Sequence, residues 1–342
     1  MEFFFAKKIR LTLNPMKNIL LIQTSFIGDV ILATAMLEDL HSSYPEAKID
    51  LLVRKGNESL FKGHPFISEL LVWDKRNAKY KSLFGLLKKV RRNKYDLLIN
   101  LQRFATTGLF SVFSSAKETR GFSKNPFAAF FNKKVDHSIG DGTHEIQRNR
   151  LLIDDLCNST ASNPKLYPKQ LDLGKTPIKG DFVCMAPNSV WFTKMLPKQK
   201  WIELIQQLPK DIEIALLGAP GEKAVCDSII ESVKDRGGVY NLCGTLSLLE
   251  SAALMKMAKM NYVNDSAPLH LCSAVNAPQL AFFCSTSPDF GFTPLSEKSL
   301  VLEADIKPSC KPCGLHGKKA CPEHHFKCGD ISLDKAVGFL NN

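Results

Sequence analysis

Met260–Leu271, which reads MNYVNDSAPLHL, is the stretch that decides the fold of this chain. A short apolar run ends in Asn264, Asp265 and Ser266, and helical spacing begins directly after them. This order predicts a strand that leads into a helix N-terminus. Free backbone N–H groups and the positive end of the helix dipole favour an anion such as phosphate there. Alternatively, Asn264 or Asp265 only caps the helix and His270 packs in the core.

Strands and helices alternate on both sides of this stretch. The first half has predicted strands at 18–23, 49–53, 70–73 and 97–101 and helices at 30–41, 80–92 and 104–113. The second half has strands at 182–186, 212–217, 261–263 and 279–283 and helices at 198–207, 222–234, 247–259 and 267–275. This alternation is typical of doubly wound parallel sheets. It predicts an α/β protein with two Rossmann-like domains that face a central cleft.

The predicted boundaries divide the chain into five segments. They are an N-terminal extension (1–15), a first domain (16–160), a linker rich in Pro, Lys, Ser and Asn (161–180), a second domain with a Cys-rich tail (181–330) and a C-terminal helix (331–342). Within the first domain, 122–142 is expected to be a long surface loop and 144–157 a helix. Translation starting at Met1 and translation starting at Met16 both stay open.

The chain is basic, with a net charge of +11. Such an excess favours an anionic partner, which is a nucleic acid, an anionic membrane surface or an acidic substrate. The lysines and arginines look scattered apart from Lys88–Arg92, and no nucleic-acid-binding signature accompanies them, which disfavours nucleic acid. No apolar run approaches the roughly 20 residues that span a bilayer. Ten cysteines without a recognisable signal peptide argue against a disulfide framework, so we expect a cytoplasmic protein.

Polar residues follow several predicted strands and would meet at the cleft. Asp29, directly after Gly28, is a candidate general base for a hydroxyl group. Its alternative role is that of a helix cap. Asn188 and Ser189 offer donors after another strand, and Lys194 adds a positive charge that suits a diphosphate leaving group. Alternatively, Lys194 is an ordinary surface lysine.

Glu222 also follows a strand, where an acid often holds a ribose hydroxyl. Alternatively, it is a favourable acid in a first helical turn. The chain lacks the GxxxxGK[ST], GxGxxG and GxSxG patterns, which disfavours P-loop NTPases and serine hydrolases.

The tail contains four cysteines in the pattern C-x2-C-x7-C-x6-C, namely Cys310, Cys313, Cys321 and Cys328. This spacing makes a structural zinc site a candidate, although the second half lacks the paired spacing of a zinc ribbon. The alternative is a loop of free thiols near the cleft.

Four stretches, in this order, resemble the ADP-heptose:lipopolysaccharide heptosyltransferases of glycosyltransferase family 9. They are LIQTSFIGDVILATAML, APNSVWFTKMLP, VNDSAPLHLCSAV and CSTSPDFGFTP. The resemblance covers nearly the whole chain from Met16 and is closer to type II than to type I. It implies a GT-B fold, inverting transfer with no cofactor and no catalytic metal, and a role in lipopolysaccharide core biosynthesis in the Gram-negative cell envelope. It also implies a last helix that returns to the first domain.

The resemblance implies roles for individual residues. Asp29 becomes the general base and Lys194 stabilises the diphosphate, and the other implied donor contacts are Asn188, Ser189, Glu222, Leu246, Asp265, Ser266, Ala267 and His270. Of these, Glu222 would contact ribose, Leu246 adenine and Asp265 the heptose hydroxyls. The family usually has glycine at position 267, so the methyl group of Ala267 puts the phosphate pose and the donor sugar in doubt.

The expected acceptor contacts are Ser25, Gly28, Arg103 and Arg120, which would meet phosphates or carboxylates of the lipopolysaccharide inner core. The expected partners are therefore ADP-heptose, this acceptor and, through peripheral contact, the inner-membrane surface. Two alternatives stay open. One is a glycosyltransferase of the same fold that uses another sugar nucleotide, and the other is a non-catalytic nucleotide- or polysaccharide-binding protein.

Overall fold

Two parallel β-sheets form the centre of the protein. The computed structural model describes residues 16–77, 79–157 and 160–341, so the predicted extension at 1–15 lies outside the described residues. Each sheet has six strands, and helices cover both faces. The predicted doubly wound α/β architecture is confirmed.

The first sheet is built from six strands: β1 (Asn18–Ile22), β2 (Lys48–Arg54), β3 (Ile67–Trp73), β4 (Leu97–Asn100), β5 (Glu118–Phe122) and β6 (Lys133–Val135). Its helices are α1 (Ile27–Leu32), α2 (Thr34–Ser43), α3 (Lys79–Asn93), α4 (Ala105–Val112) and α5 (Glu145–Arg150). The strand order is β3-β2-β1-β4-β5-β6. In β1, Ile19 and Leu21 pack into one core and Leu20 and Ile22 into another, because successive side chains point to opposite faces.

The second sheet repeats this arrangement. Its strands are β7 (Phe182–Ala186), β8 (Glu213–Leu216), β9 (Val239–Asn241), β10 (Met260–Asn264), β11 (Gln279–Phe282) and β12 (Ser299–Leu302). Its helices are α6 (Lys198–Gln207), α7 (Lys223–Ser232), α8 (Leu248–Met257), α9 (Ala267–Ala274) and α10 (Asp334–Asn341). The order β9-β8-β7-β10-β11-β12 matches that of the first sheet. Both sheets therefore have the dinucleotide-fold order in which ligands bind at the carboxyl ends of the strands.

The two halves face each other at those carboxyl ends. Helix α1, which follows β1, packs against α9, which follows β10. A second contact joins α5 to the segment after β11, where the Glu145 N–H donates to the Gly291 carbonyl at 2.8 Å. The Arg148 guanidinium donates to the Phe290 carbonyl in the same segment at 2.7 Å. Residues that follow strands in either sheet are thus brought to one cleft.

Several elements differ from the prediction. The helix expected at 30–41 is divided at Ala33 into α1 and α2, and the helix expected at 144–157 ends at Arg150. Strand β6 lies inside the expected loop 122–142, and β5, β9 and β12 were not predicted. Within the expected linker, the structure contains a single short helical turn, Leu173–Lys175.

The C-terminal helix α10 does not return to the first domain as expected. Ala336 is fully buried in the same core as Trp201, beneath the second sheet. The Tyr262 hydroxyl donates to the Ala336 carbonyl at 3.1 Å and fixes α10 to β10. The apolar face of α10 is thus used to cover its own domain. No helix in the described part of the chain is long and apolar enough to cross a membrane.

Arg120, expected among the acceptor contacts, is instead a buried structural residue of β5. Its guanidinium donates to both carboxylate oxygens of Asp155, at 2.5 and 3.0 Å, and to the Leu152 carbonyl at 2.9 Å. A further bond joins it to Glu118 at 2.6 Å. With its donors engaged in this way, Arg120 is not available to an acceptor, and we withdraw that assignment.

Replacing Arg120 should therefore reduce stability rather than ligand binding. We expect Arg120→Ala to lower the free energy of unfolding by about 2–4 kcal/mol, because a buried carbonyl and a carboxylate lose their partner. Chemical denaturation measures this change. The control Arg92→Ala removes an exposed arginine and should change stability by less than about 0.5 kcal/mol. Unchanged stability together with weaker acceptor binding would contradict the structural role.

Candidate active site

The amide of Asn264 holds one side of the cleft together. This side chain is fully buried at the end of β10. Its Nδ2 donates to the carbonyls of Ala186 and Pro187, at 3.2 and 2.9 Å, and its Oδ1 accepts the Leu196 N–H at 2.9 Å. These bonds fix the loop 187–196 to β10. The N-cap of α9 is Ser266, without a side-chain cap bond, so the alternative that Asn264 or Asp265 only caps the helix is wrong.

Lys194 and Asp265 form an ion pair at the centre of this edge. Lys194 Nζ lies 2.8 Å from Asp265 Oδ2, and the two side chains are only 15% and 7% exposed. The Thr286 hydroxyl, which follows β11, donates to the same oxygen at 2.6 Å. Among the described residues, no donor is bonded to the other carboxylate oxygen, Oδ1. Asp265 is therefore held firmly on one side, with one acceptor oxygen left for a ligand hydroxyl.

The N-terminus of α9 lies beside this pair. Ser266 makes no cap bond there, and Ala267 and Pro268 form a half-buried first turn. Uncapped N–H groups at a helix N-terminus attract anions. Together with the Lys194 ammonium, they make this corner of the cleft suited to a phosphate.

His270 lies buried one turn into α9. Burial lowers the pKa of its imidazole to about 3, so the ring is neutral at physiological pH. Its Nδ1 is buried without a partner in the described part of the chain. His270 is thus buried, as the alternative of a core histidine predicts. Its Nδ1, however, has no hydrogen-bond partner among the described residues.

Asp29 approaches from the other half of the protein. It lies in the first turn of α1, directly after Gly28. A Cβ atom at Gly28 would lie 2.7 Å from Cδ2 of His270, so only glycine allows α1 to come this close to α9. Burial, reinforced by the nearby Glu145 carboxylate, raises the pKa of Asp29 from 3.8 to about 6, while the Lys194 charge opposes the rise. Asp29 is thus a stronger base than an ordinary aspartate.

Two residues of the site were not predicted from the sequence. Thr286 could have been found, because it is a polar residue in the loop that follows β11, four residues after the strand ends. Glu145 carried no such signal. Its role depends on the fold, since its carboxylate accepts from Arg148 Nε at 2.9 Å and lies near His137 Nε2 at 3.0 Å.

The other predicted donor residues lie along the same sheet edge but bond within their own loops. Asn188 Nδ2 lies 3.6 Å from Cys226 Sγ, and the Ser189 hydroxyl accepts the Trp191 N–H at 3.4 Å. The Glu222 carboxylate accepts the Ala219 N–H at 2.7 Å. Leu246, after β9, is half-buried against the core. None of these contacts involves Lys194 or Asp265.

Two predicted acceptor residues lie at the carboxyl edge of the first sheet. The Ser25 hydroxyl, after β1, donates to Gln102 Oε1 at 3.1 Å. Arg103, after β4, is exposed, with its guanidinium carbon 5.7 Å from the Phe104 ring centre.

The Cys-rich tail folds over the turn that carries Lys194. Lys318 N–H donates to the Thr193 hydroxyl at 2.8 Å, and the Thr193 N–H donates to the Lys318 carbonyl at 3.1 Å. A Cβ at Gly317 would lie 2.9 Å from Lys194 Cγ. Over the residues that the structure describes, no three His, Cys, Asp or Glu side chains gather closely enough to hold a metal ion.

Comparison with known proteins identifies relatives of the chain. Residues 83–323 match the model of glycosyltransferase family 9 (heptosyltransferase). Lipopolysaccharide heptosyltransferase 3 of Escherichia coli is 26% identical over 277 residues, which cover 76% of this chain and 82% of that protein.

Two solved structures from E. coli share the fold. The ADP-heptose lps heptosyltransferase II superposes with a TM-score of 0.77 at 20% identity and covers 95% of this chain and 97% of its own. The heptosyltransferase WaaC with ADP superposes with a TM-score of 0.69 at 20% identity, covering 86% and 95%. Both are GT-B heptosyltransferases, so the predicted GT-B arrangement of the two domains is confirmed.

The raised pKa of Asp29 makes a prediction for stability. The folded protein holds this proton more tightly than the unfolded chain, so stability falls as pH rises from about 4 through 6 and the loss is complete above that range. We expect Asp29→Asn to increase the free energy of unfolding at pH 8 by on the order of 1–3 kcal/mol. Denaturation at pH 8 and at pH 4 measures the difference, which should be small at pH 4.

The matched control is Asp235→Asn, which removes an exposed carboxylate and should change stability little at either pH. An equal effect of Asp29→Asn at both pH values would show that the Asp29 carboxylate is not held in a desolvated position.

Proposed function

Because this chain belongs to glycosyltransferase family 9, the heptosyltransferase family, we propose that it transfers heptose from ADP-heptose to the inner core of lipopolysaccharide. The transfer inverts the anomeric carbon, with Asp29 as the general base and Lys194 at the diphosphate. One observation carries this proposal: Asp29 lies beside the Lys194–Asp265 pair in the cleft. A base of raised pKa is thus next to a site suited to an anion.

The order of residues along the second sheet supports a nucleotide sugar as donor. Following the strand order β9-β8-β7-β10-β11, the loops after the strands present Leu246, Glu222, Lys194, Asp265 and Thr286. Neighbouring strands lie about 4.8 Å apart, so this edge extends about 19 Å. This order matches the order of the groups in ADP-heptose. Leu246 would contact the adenine, Glu222 the ribose, Lys194 the diphosphate and Asp265 the sugar.

The chemical step follows from the groups on the two sides of the cleft. Asp29 accepts the proton of the acceptor hydroxyl, and the hydroxyl oxygen attacks the anomeric carbon of the donor. The bond from that carbon to the ADP oxygen breaks, and ADP leaves with the bonding electrons. Lys194, Asn188, Ser189 and the first turn of α9 stabilise the negative charge that grows on the diphosphate.

The remaining donor contacts come from α9 and its preceding residues. Asp265 Oδ1 accepts a sugar hydroxyl, while Ser266, Ala267 and the neutral imidazole of His270 contact the phosphates. The Ala267 methyl group narrows the space at the helix N-terminus. This is the observation that favours a second candidate function, a transferase of the same fold with a different sugar nucleotide.

The acceptor lies against the edge of the first sheet. Ser25 and Arg103 border this edge, and Gly28, which packs directly against His270, completes the proposed acceptor contacts. The inner core of lipopolysaccharide is anionic and is anchored in a membrane, which fits the net charge of +11. We place the reaction at the cytoplasmic face of the inner membrane, with the protein in peripheral contact with that surface.

Asp29→Ala should abolish turnover while ADP affinity stays close to that of the wild type, because the carboxylate acts on the acceptor. For the wild type, kcat/KM should fall about tenfold per pH unit below pH 6, where Asp29 becomes protonated. Transfer assays across pH 5–8 measure both effects. Full activity of Asp29→Ala would show that Asp29 is not the general base.

Lys194→Ala should weaken ADP binding by about tenfold or more, since a charge-assisted contact to the diphosphate is lost. Isothermal titration with ADP, UDP and GDP, without added metal, measures affinity and base preference together. The control Lys198→Ala removes an exposed lysine at the start of α6 and should bind ADP normally.

Binding of UDP or GDP in place of ADP would support the alternative donor. Binding of none of the three would favour a non-catalytic protein.

A further inference from the structure

The first half of the chain carries an exposed surface that the transfer reaction does not use. It consists of the outer sides of α3 and α4 and the loop 125–131, and we name it the α3–α4 face. Its large apolar side chains, all more than 40% exposed, are Phe84, Phe104, Leu109, Phe113 and Phe130. Neighbouring exposed apolar side chains usually mark an interaction surface.

Hydrogen bonds join the three parts of this face. The Arg91 guanidinium, near the end of α3, donates to the Phe113 carbonyl at the end of α4 at 3.1 Å. Asn125 Nδ2 donates to the carbonyls of Gln102 and Phe104 at 2.8 and 3.2 Å, which fixes the loop 125–131 to the start of α4. The two helices and the loop are therefore held next to one another.

The outer side of α4 is apolar along its whole length. Ala105, Leu109 and Phe113 follow one another at four-residue spacing and are exposed, whereas Phe110 is buried in the core. A helix that packs on a sheet normally turns polar residues to water. This helix turns apolar residues outward instead.

Positive charge is concentrated in the same part of the chain as these apolar side chains. Residues 75–134 contain fifteen lysines and arginines but only two acids, so the charge excess of the protein is concentrated here and not scattered as the sequence first suggested. Five exposed cations of the face form no ion pair with a carboxylate of the described chain: Lys81, Lys88, Arg91, Arg92 and Lys124. Exposed cations without a carboxylate partner, on the same elements as exposed aromatic side chains, complement a surface of anionic headgroups.

We propose that the α3–α4 face docks the protein on an anionic lipid bilayer, with its aromatic side chains among the headgroups and its cations on lipid phosphates. A second copy of the chain is a poorer occupant, because a symmetric contact would place these like charges against each other. The purpose of this docking rests on the proposed function. It would bring the active site to an acceptor that is anchored in the membrane.

The position of the face supports this purpose. Helix α4 begins five residues after the end of β4, and Gln102 between them accepts a hydrogen bond from Ser25, four residues before Asp29. The α3–α4 face thus adjoins the edge of the first sheet that holds the base. A docked protein would present Asp29 near the bilayer surface, where the sugar part of a lipid-anchored acceptor lies.

Vesicle flotation of the full-length protein tests the proposal. The vesicles contain phosphatidylcholine alone or phosphatidylcholine with 30% phosphatidylglycerol. We expect binding to the anionic vesicles, a loss of about tenfold or more in the double variant Phe84→Ser with Phe113→Ser, and a similar loss in Lys88→Glu with Arg92→Glu. The matched controls, Val225→Ser with Ile306→Ser and Lys210→Glu with Lys256→Glu, alter exposed residues of the second half and should bind normally.

Thermal unfolding and ADP titration of every variant separate docking from folding and from the donor site. Normal ADP binding with no vesicle binding would overturn the docking surface alone. Vesicle binding without ADP binding would overturn the proposed function and leave the surface standing. Equal binding to both kinds of vesicle, a dimer that the phenylalanine variant dissociates, or nucleic-acid binding that the charge variant removes would each overturn the assignment to anionic lipid.

Discussion

The buried amide of Asn264 is the constraint on which the donor side of the cleft depends. Its three hydrogen bonds fix the loop after β7 to the end of β10. Without these hydrogen bonds, Lys194 and Asp265 would lie on two loops that move independently. Only their ion pair would then hold the two side chains together. Because a buried amide left without partners is strongly unfavourable, this connection also resists local opening. The site is therefore rigid at the corner that we propose binds the diphosphate.

The contact between the two halves of the chain also determines the pKa of Asp29. Helix α1 can pack on α9 only because Gly28 has no side chain, and this packing is what removes water from Asp29. Glu145, which raises the pKa of Asp29 further, comes from the segment that bonds to Gly291 in the other half. The contact that joins the two halves thus also raises the pKa of the proposed base, and opening of the cleft would return the pKa of Asp29 towards its ordinary value.

The sequence predicts this fold best where strands are buried on both faces. The apolar runs of β1, β4, β7 and β10 were found, whereas β5 was missed because Glu118 and Arg120 interrupt its pattern. Arg120 is buried only because Asp155, far along the chain, pairs with it. Likewise, the motifs located Asp29, Lys194 and Asp265, but Glu145 joins the site through tertiary contacts that no local pattern records. Helix α10 was misplaced because its apolar face is compatible with packing on either domain.

The tail contact at Thr193 has a consequence for the biosynthesis of the protein. The turn that carries Lys194 is completed by hydrogen bonds to Lys318, 125 residues later in the chain. During synthesis, the first sheet and its cationic face emerge long before this partner exists. A nascent chain can therefore fold its N-terminal half, while the corner that holds Lys194 and Asp265 remains unfinished until Lys318 has been synthesised.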